Sequence, residues 1–179
     1  GHPIVDSSLG SNFNVESGNI YKCRLLGIKK GEKNNPGEIR SSINLSDDSI
    51  GLADTNCKYG VYGNILNKSI IDADRTATLG GRLSVKLGDA KIYCALDNEG
   101  VKAYDIKIIK ANKQNEADDK SMTIKVTDKE LLEKTGGIIQ GMSGSPIVQN
   151  GKIIGAITHV LINDPTRGYG VYIDWMIDN

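Results

Sequence analysis

The run Gly141-Met142-Ser143-Gly144-Ser145-Pro146-Ile147-Val148-Gln149-Asn150-Gly151-Lys152-Ile153-Ile154-Gly155-Ala156-Ile157-Thr158 decides how the rest of the chain is read. A glycine-framed serine leads into two apolar stretches, Pro146–Gln149 and Lys152–Leu161, separated by Asn150-Gly151. An Asn-Gly pair between apolar runs is among the strongest short-range hairpin signals, because both residues tolerate positive φ. The segment therefore reads as turn, strand, tight turn, strand. Its most apolar part, Ile153 to Ile162, is interrupted by Thr158 and His159 and falls well short of the ~20 residues of a membrane span.

The same grammar extends upstream. Twenty-one glycines punctuate short apolar runs, and the expected strands are Ile20–Ile28, Tyr59–Leu66, Leu83–Leu87, Lys91–Leu96, Val101–Ile109, Ser121–Val126 and, beyond the hairpin, Gly170–Ile173. Several alternate with the period of two that marks a strand with one buried face. Gly88-Asp89 and Asn98-Glu99-Gly100 read as further turns. Only Thr127–Lys134 reads as a helix: Thr127 and Glu130 have the spacing of a capping box, Asp128 falls in the first turn, and Gly136-Gly137 stops it. Short strands with glycine turns predict an all-β barrel or sandwich.

The 179 residues suit one domain or two small, closely packed halves, and a 39% hydrophobic content is enough for a core. Twenty-two basic and 22 acidic side chains give a formal net charge of zero. Nucleic acid and anionic membranes select for a basic excess, so neither is expected as the main partner. Cys23, Cys57 and Cys94 are widely spaced and form no CxxC pair, and there are two histidines. A metal site of the usual zinc kind is not expected. The cysteines read as buried or half-buried thiols, with one disulfide open to them in an oxidising compartment. No secretory signal is visible, and the abrupt start at Gly1 reads as that of a fragment of a longer chain.

Acyl transfer requires an exposed nucleophile, a base and donors aimed at the developing oxyanion. Gly141-Met142-Ser143-Gly144 can supply the first and last from one turn, with Ser143 as nucleophile and the N–H groups of Gly141 and Ser143 as the oxyanion hole. Glycine at 141 allows the positive φ that such a turn requires.

The segment closely resembles the Gly-x-Ser-Gly-x-Pro motif of chymotrypsin-like serine peptidases, and Gly170-Val171-Tyr172 resembles the strand near that family's C-terminus. More specifically, Gly141–Ile147 with Thr158-His159-Val160, Asn163-Asp164-Pro165-Thr166 and Gly168-Tyr169-Gly170 resembles the SpoIVB peptidases of bacterial sporulation. Gly1-His2 with Ile4 and Asp6, Lys29-Lys30-Gly31-Glu32 and Asn35-Pro36-Gly37-Glu38 resemble the start of the same domain. The likeness is strongest over the last forty or so residues and thin between Ser41 and Lys120.

The resemblance implies a chymotrypsin-like double β-barrel with one short helix before the nucleophile turn, over residues 1–179. It implies a serine endopeptidase with a Ser-His-Asp triad: His2 as general base, Asp128 as orienting acid and Ser143 as nucleophile. The chain order agrees with that of chymotrypsin-like enzymes. His159 is the rival base; its strand position places it with Thr158 beside bound peptide. Asp72, Asp74 and Asp105 are the rival acids. Asp128 lies closer to the serine than the acid of the wider family does, and almost nothing precedes His2 where that family has several strands. The first barrel is therefore expected to be built differently or to be partial. Met142 stands where trypsin-type enzymes carry an aspartate, so activation by a buried new N-terminus is not expected. Gly137 stands where trypsin-type pockets carry their charged residue, so a preference for basic side chains is not expected either.

Further implications are an exported enzyme in the space between the forespore membranes and an upstream PDZ domain and membrane segment in the longer chain. Its substrates would be membrane-associated regulatory proteins and itself, with no cofactor. The alternative is a peptidase-fold module that grips an extended peptide without cutting it.

Overall fold

A computed structural model describes residues 2–6, 8–71 and 76–177. The N-terminal half forms three small antiparallel sheets. β1 (Val5–Asp6) pairs with β2 (Ser11–Asn12), and β3 (Gly18–Ile20) joins the hairpin of β6 (Gly51–Cys57) and β7 (Gly60–Ile65). Between them β4 (Cys23–Lys29) pairs with β5 (Glu38–Ile43).

The C-terminal half holds the main core. After β8 (Thr78–Leu79) come β9 (Gly88–Ala95), β10 (Val101–Ala111), β11 (Met122–Val126), helix α1 (Lys129–Thr135), β12 (Pro146–Gln149), β13 (Lys152–Val160), β14 (Arg167–Tyr172) and the short helix α2 (Asp174–Ile177). The antiparallel order is β12-β9-β10-β11-β14-β13, and β12 also pairs with β13, so six strands close on themselves. Closure removes the open sheet edges. Alternate residues Ala90, Ile92 and Cys94 of β9 and Tyr104, Ile106 and Ile108 of β10 point inward and are buried. They meet Met122, Ile124, Ile147, Ile154 and Ile157 from the other strands. One closed barrel with additional sheets is an all-β fold of the chymotrypsin-like kind.

The Asn150-Gly151 turn forms as expected, with φ of 51° and 75°. The strands expected over Tyr59–Leu66, Lys91–Leu96, Val101–Ile109, Ser121–Val126, Pro146–Gln149, Lys152–Leu161 and Gly170–Ile173 are all present within a few residues. Leu83–Leu87 is not a strand. Arg82–Ser84 makes a tight 3-10 turn instead, because the Asp174 carboxylate accepts the Arg82 N–H at 2.7 Å and the guanidinium packs 4.7 Å over the Trp175 ring. Gly88-Asp89 opens β9 rather than turning the chain, and Ile20–Ile28 is divided between β3 and β4.

Helix α1 is capped by Asp128, not by Thr127. The Asp128 side chain accepts the Leu131 N–H at 2.9 Å, which puts Asp128 outside the first turn, and Gly136 at φ 75° ends the helix. Leu131 is buried in the barrel core. Of the cysteines, Cys94 is buried, Cys57 half-buried and Cys23 exposed. Among the described residues no helix is long and apolar enough to cross a membrane.

The halves are clasped together by backbone bonds. Gly31 N–H donates to Thr135 O at 2.8 Å and Asn34 N–H to Ile162 O at 2.7 Å. Ile39 N–H donates to Gln140 O at 2.8 Å, and Gln140 N–H returns to Gly37 O at 2.9 Å. The connection from β4 to β5 thus holds the segment that leads into Ser143.

Candidate active site

Ser143 lies in the turn before β12, and the chain around it is fixed from several sides. Gly144 N–H donates to Ile157 O at 2.8 Å, and Ile157 N–H donates to Ser145 O at 3.0 Å, which ties the turn to β13. Met142 is buried in the core beneath the turn, its sulfur 3.5 Å from the Ile139 N–H. An aspartate there would be an uncompensated buried charge, which explains why this turn is anchored by an apolar residue.

Gly141 has φ +96°, and a Cβ on it would lie 3.0 Å from Ile39 Cβ. Neither its N–H nor that of Ser143 has an acceptor among the described residues. Both residues line the same cleft, so two unused backbone donors sit beside the serine, as an oxyanion hole requires.

That cleft has a volume of about 670 Å³ and lies where the clasped halves meet. His2, Gln140, Gly141, Ser143, Thr158 and His159 contribute its polar lining, and Pro36, Ile138, Ile139, Val160 and Ile162 its apolar walls. Residues from the two ends of the chain are thereby brought together. The His2 and His159 rings are 5.8 Å apart between centroids and tilted by 32°. Ser143 Oγ donates to the Thr158 carbonyl at 2.8 Å rather than to an imidazole. His2 Nδ1 lies 2.8 Å from its neighbour's carbonyl, Pro3 O. A carbonyl only accepts, so this bond requires a proton on Nδ1; in the neutral ring Nε2 is then the acceptor, the arrangement a general base needs.

Asp128 is not brought to this cleft. One of its oxygens caps α1 through Leu131 N–H, and the other accepts the Asp105 N–H at 3.2 Å. Asp105 is exposed on β10 and pairs with Lys91; Asp72 and Asp74 lie outside the described residues. The acid beside the cleft is Asp119, whose Oδ2 is 4.0 Å from His159 Nδ1 and whose carbonyl accepts Thr158 Oγ1 at 3.1 Å. In sequence it belongs to the polar, mixed-charge stretch Asn112–Lys120, where no spacing distinguishes it.

Burial lowers the His159 pKa, with Asp119 acting the other way. Burial also pushes the Cys94 thiol up to about 12, which removes it as a nucleophile near neutral pH.

A chymotrypsin-like all-β fold that presents a Gly-x-Ser-Gly turn in a cleft between its halves defines the class of serine peptidases. The chain belongs to the SpoIVB peptidase S55 family, whose profile matches residues 1–177. That family ties the serine peptidase activity to sporulation. No curated protein matches the chain.

Proposed function

We propose that this chain is a sporulation signalling endopeptidase that cleaves membrane-associated regulatory proteins, and its own chain, after export to the space between the forespore membranes. The observation that carries the catalytic reading is the meeting of Ser143, His2 and two unused N–H donors in one cleft. Ser143 Oγ attacks the peptide carbonyl as His2 Nε2 takes its proton. The N–H groups of Gly141 and Ser143 hold the oxyanion, and His2 returns the proton to the leaving amine. Water then releases the acyl group by the same steps. No metal or organic cofactor enters this scheme.

Before attack, the Ser143 hydroxyl must turn from Thr158 O toward His2. A substrate N–H that takes the Thr158 carbonyl in its place would drive that rotation. Thr158 and His159 line the cleft as the substrate-binding side. Asp128 has the role of orienting acid on the strength of the family resemblance, and Pro3 O occupies His2 Nδ1 in this structure.

The parked hydroxyl favours a second reading, a peptidase fold that grips an extended peptide without cutting it. Labelling with a fluorophosphonate probe, followed by mass mapping, separates the two. Modification at Ser143 that disappears in His2→Ala supports the peptidase; folded protein that takes no label supports the binding module.

A further inference from the structure

His159 presents a problem that the triad does not address. Its Nδ1 is buried and has no hydrogen-bond partner, although its side chain as a whole is 42% exposed. A buried imidazole nitrogen without a partner is unfavourable, and the nearest acid, Asp119 Oδ2, is 4.0 Å away, about 1 Å beyond a formed N–H···O bond. Asp119 is itself restrained. Its carbonyl takes the Thr158 hydroxyl at 3.1 Å, Ser121 Oγ donates to the adjacent Asp118 carbonyl at 2.8 Å, and Asn112 Nδ2 bridges to Lys120 O at 2.8 Å. The loop is thus tied to the strand that carries His159, which keeps the Asp119 carboxylate next to that ring.

We propose that Asp119 is a positioning residue: its carboxylate accepts the His159 Nδ1 proton and fixes the ring with Nε2 as an acceptor for a substrate backbone N–H beside Ser143. This goes beyond the peptidase reading by giving the cleft an acid–imidazole pair outside the proposed triad, and its kinetic consequence rests on that reading. The pair requires a neutral His159. The groups acting on it are Asp119, which favours the proton, and His2 and Lys120, which oppose it; burial opposes it most. Near neutral pH the imidazole is therefore uncharged. It can accept an N–H and adds no positive charge 5.8 Å from the His2 ring, where an imidazolium must form in the reaction.

The chain has two histidines, so ¹⁵N imidazole spectra resolve each tautomer and each titration without reference to activity. In Asp119→Ala the His159 ring should leave the Nδ1–H tautomer. In Asp119→Asn, which keeps an acceptor and the backbone bonds, His159 should titrate at lower pH because the favourable charge is gone. For peptide cleavage, Asp119→Ala should lower kcat/KM about tenfold, mostly through KM, as expected for one lost positioning bond. Unchanged His159 tautomer and titration in both variants would overturn the proposal. So would a tenfold loss carried by kcat alone. A wild-type protein whose His159 follows residue 119 but whose Ser143 takes no fluorophosphonate would sink the peptidase reading and leave the pair standing.

Discussion

Ser143 donates its hydroxyl hydrogen bond to the Thr158 carbonyl, and that bond is the one side-chain hydrogen bond its removal takes from the described fold. Ser143→Ala should therefore keep its stability within about 1 kcal/mol of the parent. Turnover should fall by several orders of magnitude. Thermal melting and peptide cleavage measured on the same sample decide it, and retention of a tenth of the activity would place the nucleophile elsewhere. Gly141 offers a separate test of the oxyanion hole. Its φ of +96° and the nearby Ile39 side chain penalise any Cβ. Gly141→Ala should cost about 1 kcal/mol in stability and about 10²–10³ in kcat. For His159 the sign follows from burial. Its folded pKa lies below the unfolded value, so the unfolded chain binds this proton first as the pH falls. Its contribution to stability is complete above about pH 6.5 and is lost as the pH drops from there through the folded pKa. His159→Gln should flatten the acid side of the melting profile in that window. A profile as steep as the parent's would assign the slope to other groups.

At the level of elements, α1 makes the acid assignment testable. Asp128 is a helix cap in the structure and the orienting acid of the proposed triad. Asparagine caps a helix about as well as aspartate, whereas alanine loses about 1 kcal/mol. If Asp128 acts in the triad, Asp128→Asn should melt like the parent yet lose most of its kcat. Normal turnover with normal melting would leave Asp128 a cap alone and move the acid to another residue. This helix also marks how far local sequence can be read. Its existence and its glycine stop are written in Thr127–Gly137, but the cap falls on Asp128 because that carboxylate reaches both Leu131 N–H and Asp105 N–H, and the second partner belongs to β10. The polar strands β5 and β6, Glu38–Ile43 and Gly51–Cys57, were illegible for a related reason. They have little apolar alternation of their own and are strands because β4, β3 and β7 pair with them.

Across the whole molecule, the cleft depends on the clasp between the halves. A Cβ on Gly37 would lie 2.4 Å from Lys29 O, 2.5 Å from Gly31 N and 2.7 Å from Ile139 Cγ2. All three neighbours belong to the clasp or to the segment leading into Ser143. Gly37→Ala should therefore destabilise the fold by about 1–3 kcal/mol and lower cleavage and fluorophosphonate labelling together, although residue 37 touches no reacting atom. Urea unfolding with parallel labelling reads both; loss of stability with full labelling would show that the clasp does not position the nucleophile. By itself the sequence determined what is local. The glycine-framed Ser143, the Asn150-Gly151 hairpin, the period-two strands of the C-terminal half and the stop at Gly136 all follow from backbone sterics and side-chain alternation within a few residues. Only the tertiary structure decided that β12 closes the barrel on β13 and β9, that His2 and His159 share a cleft with Ser143, and that Asp119 stands beside that cleft while Asp128 does not. Those relations join segments far apart in the chain, and they are set by long-range pairing and core packing, which leave no mark in the spacing of neighbouring residues.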